Sequence, residues 1–137
     1  MGKVLISDEI SQTALEVFSN NNINVDYRPG IEHSELMAII SHYQGLAIRS
    51  ATKVTSDLIE KASNLRVIGR AGIGTDNIDK KIATQKGIIV MNTPFGNAVT
   101  TAEHTIAMMF AVARQIPEAN TSTQAGKWEK SRLKSTT

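Results

Sequence analysis

The residues best suited to chemistry in this chain are Arg49, Arg70 and the glycines that follow Arg70. A short apolar run ending in Val67-Ile68 opens into Gly69-Arg70-Ala71-Gly72-Ile73-Gly74 and then a polar turn, Thr75-Asp76-Asn77. Glycine lets backbone N–H groups face a ligand with no Cβ in the way, and arginine supplies a fixed fork of donors. Arg49 closes another apolar run, Leu46-Ala47-Ile48-Arg49-Ser50. Two arginines and a glycine loop at strand ends suit a small, multiply charged acid. Plainer roles compete. Arg49 could be a surface arginine ending a strand. Arg70 could face a phosphate or pair with Asp76. The glycines could serve a tight turn that needs positive φ, and such a turn can itself point amides inward.

The elements that must position these residues are strands alternating with helices. Val4-Leu5-Ile6, Val25-Asp26-Tyr27, Leu46-Ala47-Ile48, Val67-Ile68 and Ile88-Ile89-Val90 read as strands. Between them, Ala14–Phe18, Leu36–Ile40, Leu58–Ala62 and Ile78–Ala83 place apolar residues three or four apart, as one helix face requires. This alternation indicates an α/β fold: a doubly wound, five-stranded parallel sheet covered on both faces. Ser34 and Thr55 sit where N-caps belong, and Gly87 sits where a helix C′ glycine belongs. Asp8-Glu9 reads as an exposed first helical turn favoured by the helix dipole.

After residue 96 the pattern changes. Thr100-Thr101-Ala102-Glu103 has the spacing of a capping box. Behind it runs Ile106-Ala107-Met108-Met109-Phe110-Ala111-Val112-Ala113. A long helix apolar all round should be buried on more than one side, here by a further domain or a second chain. Pro117 lies near its end, and a short helix over 121–126 ends at Gly126. Trp128 has no downstream sequence to pack against, and Lys134-Ser135-Thr136-Thr137 fades out without an element. The division expected is 1–96 and 97–137, the second part reading as cut off partway.

Composition excludes several classes. The chain has 137 residues, no cysteine and a formal net charge of +2. Disulfides, thiolate metal sites and a cysteine nucleophile are therefore out, and no metal site is expected. No dense basic block points to nucleic acid, and no apolar run is long enough to span a membrane. With no secretory pattern at the start, a cytoplasmic location is expected. Gly72-Ile73-Gly74 mimics the start of a dinucleotide fingerprint, but Asn77 stands where the third glycine belongs. His33 and His42 read as solvent-facing. His104 follows Glu103, yet adjacent helical residues do not face each other, so a catalytic pair is not expected there. A phosphoacceptor module using Asp8 and Glu9 would need aspartate at the third strand's end, where Arg49 stands.

Several strings together resemble the phosphoglycerate branch of the D-2-hydroxyacid dehydrogenase family. They are Arg49-Ser50-Ala51-Thr52-Lys53-Val54-Thr55, Gly69–Asp79, Val90–Asn97, Ala102-Glu103-His104, Ala113–Pro117 and Gly126-Lys127-Trp128-Glu129. The resemblance implies a flavodoxin-like substrate-binding domain over 1–96, then a long interdomain helix and the start of a nucleotide-binding domain over 97–137. It implies oxidation of 3-phospho-D-glycerate to 3-phosphohydroxypyruvate, the entry to serine synthesis, with NAD as hydride acceptor in the parent enzyme. Substrate contacts would fall on Arg49, Ser50, Arg70, Ala71, Gly72, Ile73, Gly74 and Asn97. Ile73 would lie on the nicotinamide side. Asn97 has a competing role as a cap. The family's glycine-rich dinucleotide loop and its catalytic arginine, glutamate and histidine come later than Trp128. No catalytic residue is therefore expected in this fragment, and no cofactor is expected bound to it. A homodimer through the apolar helix 101–116 is expected. A dehydrogenase of another D-2-hydroxy acid and a non-catalytic acid-binding domain are the alternatives.

Overall fold

The computed structural model describes residues 2–133. Five parallel strands run β1 (Lys3–Ile6), β2 (Asn24–Tyr27), β3 (Gly45–Ile48), β4 (Val67–Arg70) and β5 (Ile89–Asn92). They lie side by side in the order β2-β1-β3-β4-β5. That is the flavodoxin-like order, in which chain direction reverses across the sheet between β1 and β3. Four helices fill the connections: α1 (Gln12–Asn20), α2 (His33–Ile39), α3 (Ser56–Lys61) and α4 (Lys80–Gln85). The chain divides into two compact units, Met1–Gly96 and Asn97–Thr137.

Strand alternation gives the sheet two unlike faces. Leu5, Leu46, Ile68 and Val90 share one register line, and Ile48 follows on the same side. With Leu36, Ile40, Leu58 and Ile59 they build the core. Each fully buried leucine or isoleucine contributes about 2 kcal/mol. The opposite line holds Ile6, Ala47, Gly69 and Met91. Only α1 can cover that side by a right-handed crossover, because the later strands all step in the other direction. Ile89 and Met91 are consequently 62% and 56% exposed. The expectation of a sheet covered on both faces is thus corrected: at β5 the second face is bare.

Caps follow local chemistry only in part. The Thr55 hydroxyl accepts from the Leu58 N–H, and Gly87 takes φ 70° just beyond α4. Ser34 is not a cap: α2 begins at His33, so Ser34 is its second residue and Glu32 takes the N-cap position. Asp8 is not in a helical turn either. Ser11 caps α1, and Asp8 is 5% exposed.

In the second unit, α5 (Ala98–Ala113) and α6 (Ile116–Gln124) are separated at Gln115, which sits at φ 50°. A continuous helix would place Pro117 in its interior, where the ring has no N–H and strikes a carbonyl. In the first turn of a new helix it costs little. Asn97 occupies the N-cap position of α5 without a side-chain cap bond, so Thr100 and Glu103 lie inside the helix and form no capping box. The α5 side chains are not buried on more than one side. Ile106, Met109, Phe110 and Val112 are all more than half exposed. The Ser122 hydroxyl donates to Glu129 Oε2 at 2.6 Å, and Arg132 pairs with the same carboxylate. The reading of Lys134–Thr137 lies outside the described residues.

The edge strand β2 is tied in by charge. Asp26 accepts from the Tyr43 hydroxyl at 2.6 Å, from Arg28 Nε at 3.1 Å and from Lys3 Nζ at 3.4 Å. The Tyr43 bond first, then Arg28, hold its carboxyl down at about 2. A depressed carboxyl pKa stabilises the fold above its unfolded value and loses that contribution as pH falls through the folded one. Asp26 should therefore supply on the order of 2 kcal/mol at neutral pH, lost between pH 4 and pH 2. Urea melts across that range should show Asp26→Asn less stable at pH 7, with a flatter decline into acid. Parallel pH curves for the two proteins would contradict this.

Candidate functional site

The carboxyl ends of β1, β3 and β4 carry the candidate site. Backbone beyond a parallel strand's last ladder bond needs other partners, because buried polar groups must be paired. After β3 those partners are side chains. Asp8 Oδ2 accepts from the Arg49 N–H at 2.6 Å, and both Asp8 oxygens accept from the Thr52 N–H. The Thr52 hydroxyl also donates to Asp8, and the Ser7 hydroxyl bonds Thr52 in turn at 2.8 Å. From the other direction, Asn77 Nδ2 donates to the Arg49 carbonyl at 2.9 Å and to the Thr52 carbonyl at 2.7 Å. Arg70 Nε adds a second donor to the Arg49 carbonyl at 3.2 Å.

Arg49 itself is exposed and forms no ion pair among the described residues. Its guanidinium makes one long bond, 3.4 Å, to the Glu9 carbonyl. Arg49, Ser50 and Ala51 line a cavity of about 390 Å³ with Asp8, Glu9, Pro29 and Gly30. The N–H groups of Ser50 and Ala51 have no acceptor among the described residues. This is the β1–β3 switch point, where open α/β sheets bind ligands.

Arg70 does not join Arg49 as a second free cation. Arg49 lies one residue beyond β3, whereas Arg70 is inside β4 and pairs with Ile48 in the β3–β4 register. The Arg70 side chain is 11% exposed and bonds Asp76 Oδ1 at 3.1 Å. Of its two open roles, the ion pair is the one formed. The glycine turn wraps this pair. A Cβ on Gly74 would stand 2.8 Å from Asp76 Oδ1 and 2.9 Å from Arg70 Nη1. Gly72 and Gly74 are not at positive φ, so space beside the ion pair, rather than a left-handed turn, explains the glycine at 74.

The amides of this loop divide in two. Ala71 N–H donates to the Ile48 carbonyl and Gly72 N–H to the Arg70 carbonyl, both internal. Those of Ile73 and Gly74 have no acceptor among the described residues. The loop is anchored instead by Asn92 Nδ2, which donates to the Ile73 carbonyl at 2.7 Å. Ile73 is 43% exposed, so an apolar contact is open to it. Asn97 belongs to the other unit, at the start of α5. A wider groove of about 560 Å³ crosses the bare sheet face, lined by Phe18, Ala47, Arg49, Gly69 and Met91 among others.

A dinucleotide does not fit the glycine loop. Pyrophosphate sites place the glycines directly on a helix N-terminus. Here the turn runs on through Asp76 and Asn77 to α4, which begins only at Lys80, and the ion pair fills the space beside Gly74. Three or more clustered metal-ligating side chains do not occur among the described residues, and no helix there is long and apolar enough to cross a membrane. Asp8, Asn77 and Asn92 were not singled out as supports from sequence. Asp8 and Arg49 are 41 positions apart, and only the parallel pairing of β1 with β3 joins them.

Comparisons with known proteins bear on the family and the fold. Residues 4–132 match the model of the D-isomer specific 2-hydroxyacid dehydrogenase family, catalytic domain. A D-3-phosphoglycerate dehydrogenase of Archaeoglobus fulgidus is 45% identical over 131 residues, 96% of this chain and 25% of that protein. The Homo sapiens D-3-phosphoglycerate dehydrogenase is 45% identical over 134 residues, covering 98% and 25%. The chain thus spans about a quarter of the length of the curated relatives it matches. Among solved structures, the PH0520 protein of Pyrococcus horikoshii superposes with a TM-score of 0.84 at 29% identity, over 94% of this chain and 38% of that one. An NAD+-bound 3-phosphoglycerate dehydrogenase of Entamoeba histolytica gives 0.69 at 27% identity, over 82% and 39%. A chain with this strand order, this switch-point cavity and a family match over nearly all its residues belongs to the D-isomer specific 2-hydroxyacid dehydrogenases.

Proposed function

We propose that residues 1–96 are the substrate-binding domain of an NAD-dependent enzyme that oxidises 3-phospho-D-glycerate to 3-phosphohydroxypyruvate, in serine biosynthesis and in the cytoplasm. The observation that carries the acid-binding half is a cavity bordered by Arg49, whose guanidinium makes one long bond and no ion pair among the described residues, and by Ser50 and Ala51, whose N–H groups have no acceptor there. The Ile73 and Gly74 N–H groups, likewise without an acceptor among the described residues, lie on the loop after the neighbouring strand β4. Charge-assisted bonds to an anion are roughly twice as strong as neutral ones. Amides held by a fixed backbone need no reorganisation to meet a carboxylate. Similarity to named phosphoglycerate dehydrogenases selects the substrate among acids of this class.

The chain's own residues account for binding and not for turnover. No described side chain is placed as an acid–base pair at the cavity, and Glu103 and His104 are neighbours on an exposed helix of the other unit. NAD would supply the hydride acceptor in the parent enzyme. Ile73 would lie on its nicotinamide side, and the 97–137 segment would be the interdomain helix and the beginning of the nucleotide-binding domain. Asn97 would face substrate from that segment. The chain alone should bind the acid and catalyse nothing. A parent enzyme for another D-2-hydroxy acid would share the carboxylate site and differ in what meets the phosphate.

The exposed α5 side chains support a second expectation. Contiguous exposed apolar surface marks an association site, and α5 offers Ile106, Met109, Phe110 and Val112. The chain should dimerise through 101–116. Sedimentation equilibrium should show a dimer that Phe110→Glu dissolves. A monomer at all concentrations would contradict it.

Amide shifts of isotopically labelled chain on adding 3-phospho-D-glycerate test the acid site. Ser50, Ala51, Ile73 and Gly74 should move together, and Arg49→Ala should weaken binding at least about tenfold, the cost of losing a bond to a charged group. Shifts confined to other residues, or full affinity in Arg49→Ala, would overturn the assignment.

A further inference from the structure

We propose that Asn77 is a positioning residue for the acid-binding turn: with Asp8 it clamps Arg49–Thr52 from two sides and so sets where Arg49 and the Ser50 and Ala51 amides lie. The inference rests on the acid-binding reading above and goes beyond it, because Asn77 lines neither of the cavities that Arg49 borders.

The chemistry of the two clamping side chains matches the turn's polar groups one by one. The N–H groups of Arg49 and Thr52 go to the Asp8 carboxylate. The carbonyls of the same two residues go to the Asn77 nitrogen. A carboxylate only accepts, and a carboxamide nitrogen only donates. Exchanging either residue type would set acceptor against acceptor or donor against donor. The residues between, Ser50 and Ala51, line the cavity and have N–H groups with no acceptor among the described residues. A turn held at its two ends presents its middle.

Asn77 is itself fixed. Its carbonyl accepts from the Val54 N–H at 2.8 Å, and Val54 and Ile78 form a parallel bridge. Its side-chain oxygen is buried without a partner among the described residues. An amide flip would bring that oxygen against two carbonyls, so the orientation is set by the turn it holds. Leaving an acceptor unpaired costs stability. The chain carries that cost at the one asparagine that reaches both Arg49 and Thr52. A residue serving stability alone would be expected to satisfy all its own groups.

The test is titration of the labelled 137-residue chain with 3-phospho-D-glycerate, in wild type, Asn77→Ala, Asn77→Ser and Ile59→Val. The last removes a core methylene on α3, outside the Arg49–Thr52 segment, and lowers stability. All are compared at a temperature where their spectra show a folded chain. Asn77→Ala should raise the apparent Kd about tenfold, as for loss of a bonded buried partner. Asn77→Ser, keeping one donor, should fall between it and wild type, and Ile59→Val should bind as wild type does. Should Asn77→Ala not fold, Asn77→Ser decides by the same criterion. Wild-type affinity in the Asn77 variants, with Arg49→Ala impaired, would overturn the positioning role and leave the acid site standing. Equal weakening in Ile59→Val would reduce Asn77 to general stability and also overturn it. Absence of shifts in wild type would remove the acid site and this role with it.

Discussion

The structure depends on how a chain leaving the tip of a buried parallel strand keeps its backbone polar groups paired. Beyond Ile48 no strand continues the ladder. The chain meets this with Asp8, delivered by β1, and with Asn77, delivered by the loop after β4. Both come from neighbours of β3 in the sheet. The strand order therefore fixes which side chains can reach the turn, and the turn fixes where Arg49 emerges. Without that order, two residues far apart in sequence could not share one peptide segment.

Electrostatics sorts the arginines by the same logic. Arg70 lies in β4, almost covered, and a covered guanidinium must be paired. It takes Asp76 and the Arg49 carbonyl. Arg49 lies one residue beyond its strand, exposed, with its amide held at 2.6 Å by Asp8 and its guanidinium making one long bond, to the Glu9 carbonyl. The glycine loop serves both demands. Gly74 leaves room for the Arg70–Asp76 pair, while the Ile73 and Gly74 N–H groups have no acceptor among the described residues. A site built this way offers one exposed cation and several backbone dipoles, an arrangement suited to a small carboxylate more than to an extended polyanion.

Much of the fold was legible in the sequence because it is written locally. Apolar runs such as Val4-Leu5-Ile6 and Leu46-Ala47-Ile48 are strands, and Thr55 and Gly87 cap helices by short-range chemistry. Caps with a rival nearby were not legible. Glu32 rather than Ser34 precedes α2, and Asn97 rather than Thr100 precedes α5, since the entering chain's direction decides. The bare face at Ile89 and Met91 was hidden for another reason: a strand apolar on both sides reads the same whether or not both sides are covered. In the site, the Arg70–Asp76 pair was visible as an alternative at six residues' separation. Asn77 looked only like a missing glycine, and Asp8 only like an exposed carboxylate. Their roles depend on partners that the sequence places 25 to 44 positions away.

The most direct measurement is a crystal structure of the chain grown with 3-phospho-D-glycerate. The account predicts its carboxylate within hydrogen-bonding distance of the Arg49 guanidinium or the Ser50 and Gly74 N–H groups, with Arg70 still on Asp76. An acid bound through Arg70 released from Asp76, or seated away from the β3 and β4 tips, would contradict it.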